Sequence, residues 1–170
     1  MNLPEQVEIL IITLSDRAFR GEYEDLSGPV IRKLISDYFK SENWETVIEQ
    51  ALIPDNASVL KDKLIEAGKH YNIIITTGGT GIGPRDITVE TVKPLLDKEI
   101  PGIMEFIRIK YGTSKPNALL SRSVAGILGR SLVYTLPGSV RAVEEYMTEI
   151  LKTLKHLIYM QYGIDTHQKN

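Results

Sequence analysis

The chain has 170 residues, no cysteine, 42% hydrophobic and 25% charged residues, and a formal net charge of −2. That composition suits one globular domain of residues 1–170 around a single core. It excludes disulfides, thiol chemistry and cysteine-ligated zinc, and it argues against the basic face that nucleic-acid binding needs. The start, Met1-Asn2-Leu3-Pro4-Glu5-Gln6, has no basic region followed by an apolar run. No apolar run approaches the roughly 20 residues of a membrane span. A cytoplasmic location without membrane contact is the expectation.

Val7–Leu14 is apolar apart from Glu8 and reads as a first buried strand. It ends at Ser15-Asp16-Arg17, a polar cluster at a strand's carboxyl end, where open α/β sheets bind ligands. Ala18–Gly28 is polar and reads as a loop, with Pro29 suited to the first position of the next helix. Val30, Leu34, Ile35 and Tyr38 follow at helical spacing. Trp44–Ile53 reads as a second strand stopped by Pro54. Asp55 or Asn56 caps a helix over Ala57–Ala67, which Gly68 ends. Asn72–Thr76 is a third strand.

Beyond it, Thr88 reads as the cap of a helix that Pro94 kinks or breaks. Pro101-Gly102 opens a helix to about Tyr111, and Ala118–Arg122 fits no pattern. Val124–Leu128 and Leu132–Leu136 read as strands paired across Gly129-Arg130. Pro137-Gly138-Ser139 is a turn with Ser139 as N-cap of a last helix, whose Val140, Val143, Met147, Ile150, Leu151, Leu154, Leu157 and Ile158 form one apolar stripe. The polar tail from Tyr162, after which the domain's order is expected to end, should fray. Strands alternating with helices predict an α/β sandwich, mostly parallel, with helices on both faces. Right-handed crossovers then bring Ser15–Arg17, Asp55, Gly78–Asp86 and Pro137–Ser139 to one edge.

The segment from Ile73 to Asp86 concentrates the chemistry. An apolar strand stops at Thr77-Gly78-Gly79-Thr80-Gly81, and Ile82-Gly83-Pro84-Arg85-Asp86 follows. Glycines there let backbone N–H groups approach an anion with no Cβ in the way. Arg85 suits a phosphate or carboxylate, and Asp86 a cation. The alternative is a tight strand-to-helix turn with an Arg–Asp surface pair. A Walker loop would need Gly-Lys-Ser/Thr where Gly83-Pro84-Arg85 stands. A dinucleotide fingerprint would need glycine at Pro84. Both are excluded.

Thr77–Gly81 followed by Pro84-Arg85-Asp86-Ile87-Thr88 resembles the molybdopterin-binding signature of the MogA/MoaB family. Leu120–Ile127 and Leu136-Pro137-Gly138-Ser139 resemble its second and third motifs, and Ser15-Asp16-Arg17 and Ile53-Pro54-Asp55 match two more, in the same order. The resemblance runs from about Val7 to about Ile158. It implies a three-layer α/β/α sandwich with a mostly parallel central sheet, usually assembled as a homotrimer. It also implies adenylylation of molybdopterin by ATP with magnesium, and hand-over of the product to a molybdenum-insertion protein. MoaB-type relatives that bind the pterin without turning it over give a second reading. Related domains fused to other catalytic parts, for molybdenum insertion or nucleotide hydrolysis, give a third; 170 residues leave no room for such fusions, and a nucleotide hydrolase acting alone stays open.

By that resemblance Asp55 and Asp86 are the candidates for catalysis and for magnesium. Either Asp also suits a helix cap, Asp86 less so because Thr88 is better placed. Gly78, Gly79, Thr80 and Gly81 are expected to offer backbone donors, with hydroxyls from Thr77 and Thr80. Arg85 and Arg122 suit bidentate phosphate contacts. Ser121, Pro137, Gly138 and Ser139 line the expected ligand site, Ser139 also at a helix N-terminus. Ser15 and Asp16 match positions near the nucleotide, and Asp16 also reads as a turn-forming residue. Glu105 is a further candidate, with an ordinary solvated helix position as its alternative. His70, His156 and His167 have no metal-ligand spacing.

Overall fold

Leu14, Ile53, Thr77 and Leu136 end four neighbouring parallel strands, and their side-by-side register sets up everything that follows. The structure is a computed structural model and describes residues 3–164. The strands are β1 (Gln6–Leu14), β2 (Glu45–Ile53), β3 (Ile73–Thr77), β4 (Lys98–Glu99), β5 (Ala125–Leu128) and β6 (Ser131–Leu136). They form one six-stranded sheet in the order β2-β1-β3-β6-β5-β4. The first four positions are parallel; β5 runs antiparallel to β6, and β4 antiparallel to β5. The helices are α1 (Asp16–Phe19), α2 (Ser27–Ser41), α3 (Ala57–His70), α4 (Thr88–Val92), α5 (Pro101–Gly112) and α6 (Val140–Gln161), with short 3-10 turns at Lys93–Leu95 and Pro116–Leu120.

The apolar runs need burial on both faces because strand side chains alternate. One face carries Val7, Ile9, Ile11, Ile73, Ile75, Leu132 and Tyr134 against α2, α5 and α6. The other carries Leu10, Ile12, Ile74 and Val133 against Leu60, Leu64 and Ala67 of α3 and Val92 of α4. The sandwich is therefore three layers, as expected. Each such fully buried aliphatic side chain contributes about 1.5–3 kcal/mol relative to exposure.

Several local expectations are corrected. Ala18–Gly28 is not all loop. Ser15 caps the short α1 by accepting from Ala18 N, and α2 starts at Ser27, so Pro29 is its third residue. Asp25 sets that start: its Oδ1 accepts from Ser27 N, Ser27 Oγ and Gly28 N, while Oδ2 accepts from Thr13 Oγ1 at 2.6 Å. Of the two expected caps of α3, Asn56 is the one that serves. Gly68 does not end α3, which continues to His70. A Cβ there would lie 3.1 Å from Leu128 Cγ, so the glycine serves close packing between α3 and β5. Thr88 is the first residue of α4 rather than its cap, because its hydroxyl donates to Gly78 O. Pro94 does end the α-helical stretch, which passes into a 3-10 turn. The pairing of β4, two residues long, carried no sequence signal. Tyr162 is held rather than frayed, its hydroxyl accepting from Asn72 Nδ2 at 3.0 Å. Residues 165–170 of the expected tail lie outside the described residues.

Candidate functional site

In this strand order the chain turns to one side of β1 for β2 and to the other for β3 and β6, so β1 and β3 flank a topological switch point. Crevices at such points, outside the strands' carboxyl ends, are where open α/β sheets take ligands. Ser15 and Asp16 follow β1 and Gly78 follows β3 there. Asp55 follows β2, and Pro137–Ser139 follow β6. The four expected segments do meet at one edge.

Asp16 and Asp55 hold each other. Asp16 N donates to Asp55 Oδ2 at 3.1 Å, and Asp55 N donates to Asp16 Oδ1 at 3.0 Å. Each carboxylate satisfies the other's backbone donor, which fixes both side chains without a cation. Arg85 Nη1 stands 3.9 Å from Asp16 Oδ2 with a side chain 71% exposed, so it is free to swing to a ligand.

The glycine loop has a reason at each position. Gly78 and Gly79 have φ of +100° and +66°, which L side chains rarely adopt. A Cβ on Gly79 would run into the Thr88 hydroxyl, and Thr88 N donates to Gly79 O. Gly81 and Gly83 close around the Asp86 carboxylate, whose Oδ2 accepts from Gly83 N at 2.7 Å. Gly78 N donates to Leu136 O and the Thr77 hydroxyl to Pro137 O, so these two tie β3 to β6. The N–H groups of Gly79, Thr80 and Gly81 have no protein acceptor among the described residues. The Thr80 side chain is buried.

The Arg122 guanidinium, expected at a phosphate, is engaged by protein groups. Its Nε donates to Gly81 O at 2.8 Å, Nη2 also reaches Gly81 O, and Nη1 pairs with Glu90. Arg122 N adds a bond to Thr80 O. The guanidinium braces the loop from behind. Ser139 caps α6, accepting from Ala142 N at 3.3 Å. Ser121 Oγ accepts from Tyr146 OH at 2.9 Å. Glu105 lines a separate cleft with Arg108 and Met104, away from the Asp55 edge.

Two clefts adjoin the loop. One of about 280 Å3 is polar, lined by Ser15, Asp16, Arg17, Asp55, Arg85 and Asp86. Another of about 480 Å3 is more apolar, with Ala118, Leu120, Pro137, Ala142 and Tyr146 among its walls. Gly79 and Asp86 line both. Asp55 and Asp86 each keep one carboxylate oxygen without a protein partner among the described residues. No group of three or more His, Cys, Asp or Glu arranged to hold a metal occurs among the described residues. Magnesium bound through one or two carboxylates plus substrate phosphates needs no such cage, so this donor set fits it.

The model of the family described as "Probable molybdopterin binding domain" matches residues 10–156. The chain belongs to that family. Among curated family members, the molybdopterin adenylyltransferase of Helicobacter pylori is 31% identical over 170 residues, covering 98% of this chain and 95% of that protein. The molybdenum cofactor synthesis protein cinnamon of Drosophila melanogaster is 33% identical over 158 residues, 92% of this chain, which spans only 26% of that longer protein. The solved structure of the tungsten cofactor synthesizing protein MoaB from Pyrococcus furiosus superposes with a TM-score of 0.78 at 36% identity, covering 93% of this chain and 98% of that one. No helix among the described residues is long and apolar enough to cross a membrane.

Sequence reasoning missed Asp25, Lys115, Asn117, Arg141 and Glu145. Asp25 carried a readable signal in Asp-x-Ser-Gly before a helical pattern. The other four reach the apolar cleft only through the packing of α6 beside the Lys115 turn.

Proposed function

We propose that the chain is a molybdopterin adenylyltransferase of molybdenum cofactor biosynthesis, transferring AMP from Mg-ATP to the terminal phosphate of molybdopterin. The observation that carries this reading is the pair of clefts with Gly79 and Asp86 as their common wall. One cleft has the charged groups a nucleotide phosphate chain needs; the other has apolar walls for a flat heterocycle. Their shared wall is where two substrates' phosphates would meet. The relatives named molybdopterin adenylyltransferase support the same reading.

The transfer is balanced as a single displacement. An oxygen of the pterin's terminal phosphate attacks the α-phosphorus of ATP, a new P–O bond forms, the α–β bridging bond breaks, and pyrophosphate leaves. Catalysis of such a step is positioning plus electrostatic stabilisation. The free N–H groups of Gly79, Thr80 and Gly81 would hold phosphate oxygens, and Arg85 would swing from Asp16 onto the nucleotide. Asp55 and Asp86 would hold magnesium, which supplies positive charge where the leaving pyrophosphate gathers negative charge. Arg122 and Thr88 keep the loop in shape. Assembly as a trimer in the cytoplasm and hand-over to a molybdenum-insertion protein belong to the same proposal. The exposed Phe106, Ile109, Leu119 and Leu120 support an interface.

Purified protein incubated with molybdopterin, ATP and magnesium should yield adenylylated pterin and pyrophosphate. Asp86→Asn keeps an acceptor for Gly83 N but removes the charge, and turnover should fall at least about 100-fold in a folded protein. Pterin binding with no product from the wild type would refute the enzyme reading and leave a MoaB-type carrier.

A further inference from the structure

The apolar cleft contains a polar row that adenylyl transfer does not use. Lys115, just before the Pro116–Leu120 turn, pairs with Glu145 Oε1. Arg141 Nε, one turn back on α6, lies 3.5 Å from the same oxygen. Both cations gather on Oε1, so Oε2 has no protein partner among the described residues. The Glu145 side chain is 16% exposed and lines the cleft with Lys115 and Asn117. Glu145 Oε2 opens onto a largely apolar cleft and is not among the buried atoms that lack a partner, so it is a hydrated acceptor that a ligand can fill only by offering donors in place of water. Lys115 keeps two further N–H donors, since an ammonium carries three.

Read across the cleft, Oε2, Oε1 and the Lys115 ammonium present acceptor, acceptor, donor. A 2-amino-4-oxopyrimidine ring edge presents the complement: a 2-amino donor, an N3–H donor and a 4-oxo acceptor. Resting on the function proposed above, we propose that Glu145 accepts from the 2-amino and N3–H groups of the pterin while Lys115 donates to its 4-oxo oxygen. Arg141 holds the carboxylate against swinging away. Charge-assisted, parallel hydrogen bonds of this kind give both strength and geometric selection. The same row rejects adenine, whose ring edge offers one donor beside an acceptor nitrogen that would face the carboxylate. The pair thus keeps ATP out of the pterin subsite and leaves it the Asp16–Asp55 cleft.

The test compares two probes: a 6-substituted 2-amino-4-oxopteridine carrying a side-chain phosphate, and its 2,4-dioxo counterpart. Wild-type protein should bind the amino form about 10- to 100-fold more tightly, the span expected for losing one charge-assisted contact. Glu145→Gln should compress that preference to within about threefold and leave the ATP dissociation constant within about twofold. Equal binding of the two probes by wild type, or undiminished preference in a folded Glu145→Gln, overturns the inference. The wild-type arm decides the matter even where the variant fails to fold. Wild type that makes adenylylated product yet ignores the 2-amino group would refute this inference alone. Wild type that neither binds pterin nor forms product would refute it together with the enzyme reading.

Discussion

Replacing Gly78 by Ala perturbs the junction of β1 and β3 at one atom. Gly78 has φ +100°, outside the basin L residues occupy, which costs roughly 1–2 kcal/mol for a residue with a Cβ. The added Cβ would also sit closer than 3.0 Å to the Leu14 carbonyl oxygen and 3.4 Å from its carbon. That neighbour is backbone at the end of a central strand, with Ser15 N fastened to Ile53 O beside it, so it has little room to yield. Overpacking of this kind costs about 1–3 kcal/mol, giving a combined loss of about 2–5 kcal/mol. Urea unfolding at fixed protein concentration measures it through the midpoint at constant m. Gly102→Ala is the control: nothing lies within 4 Å of its added Cβ and it sits inside α5, so it should stabilise by up to about 1 kcal/mol. A Gly78→Ala protein within about 0.5 kcal/mol of wild type would show that the close approach of the two strand ends has been misread.

Asp25→Ala removes the anchor of α2 and the acceptor of the buried Thr13 hydroxyl, for an expected loss of about 2–4 kcal/mol by denaturant titration. Asp25→Asn should recover part of it. Arg122→Lys keeps the charge but cannot fork between Gly81 O and Glu90, so nucleotide affinity should fall about tenfold by calorimetry while global stability changes by less than about 1 kcal/mol. An unaltered affinity would remove Arg122 as the brace of the loop. Burial works to raise the Glu149 carboxyl, but hydrogen bonds from Lys110 and Lys152 outweigh it and hold the group below the usual carboxylate range. A depressed folded value stabilises above the unfolded one and is lost as pH falls through it. The stability gap between wild type and Glu149→Gln should therefore be full above about pH 5 and close toward about pH 3; a gap constant over that range would contradict the assignment.

The fold was legible because its signals are local and repeated. Ile73–Ile75 and Val7–Leu14 are apolar on both faces, and only a sheet covered by helices on both sides buries them. The gathering of Ser15, Asp55, Gly78 and Ser139 at one edge followed from strand direction alone. What escaped depends on atoms distant in sequence. Gly68 reads as a helix stop until Leu128 is packed on it from β5. Thr88 reads as a cap until Gly78 O claims its hydroxyl. The hold of the Arg122 guanidinium on Gly81 O, 41 residues away, has no local signature either. The partnership of Lys115 and Glu145 lies 30 residues apart on segments with no shared motif. Position along the chain reported which residues arrive at the edge, and packing decided which of them still have a free atom there.

The dependence of the glycine loop on β6 governs when the site first exists during synthesis. Gly78 N needs Leu136 O, and the Thr77 hydroxyl needs Pro137 O, residues made some sixty positions later. Until β6 slides in beside β3, the loop has neither its registry nor its wall, and the β1–β2–β3 half of the sheet presents an uncovered edge. Domains emerge from the ribosome amino-terminus first, and long-range parallel pairing is slow. A nascent chain of this protein therefore passes through a stage that is aggregation-exposed and ligand-blind, and the arrival of β6 and α6 ends both conditions together.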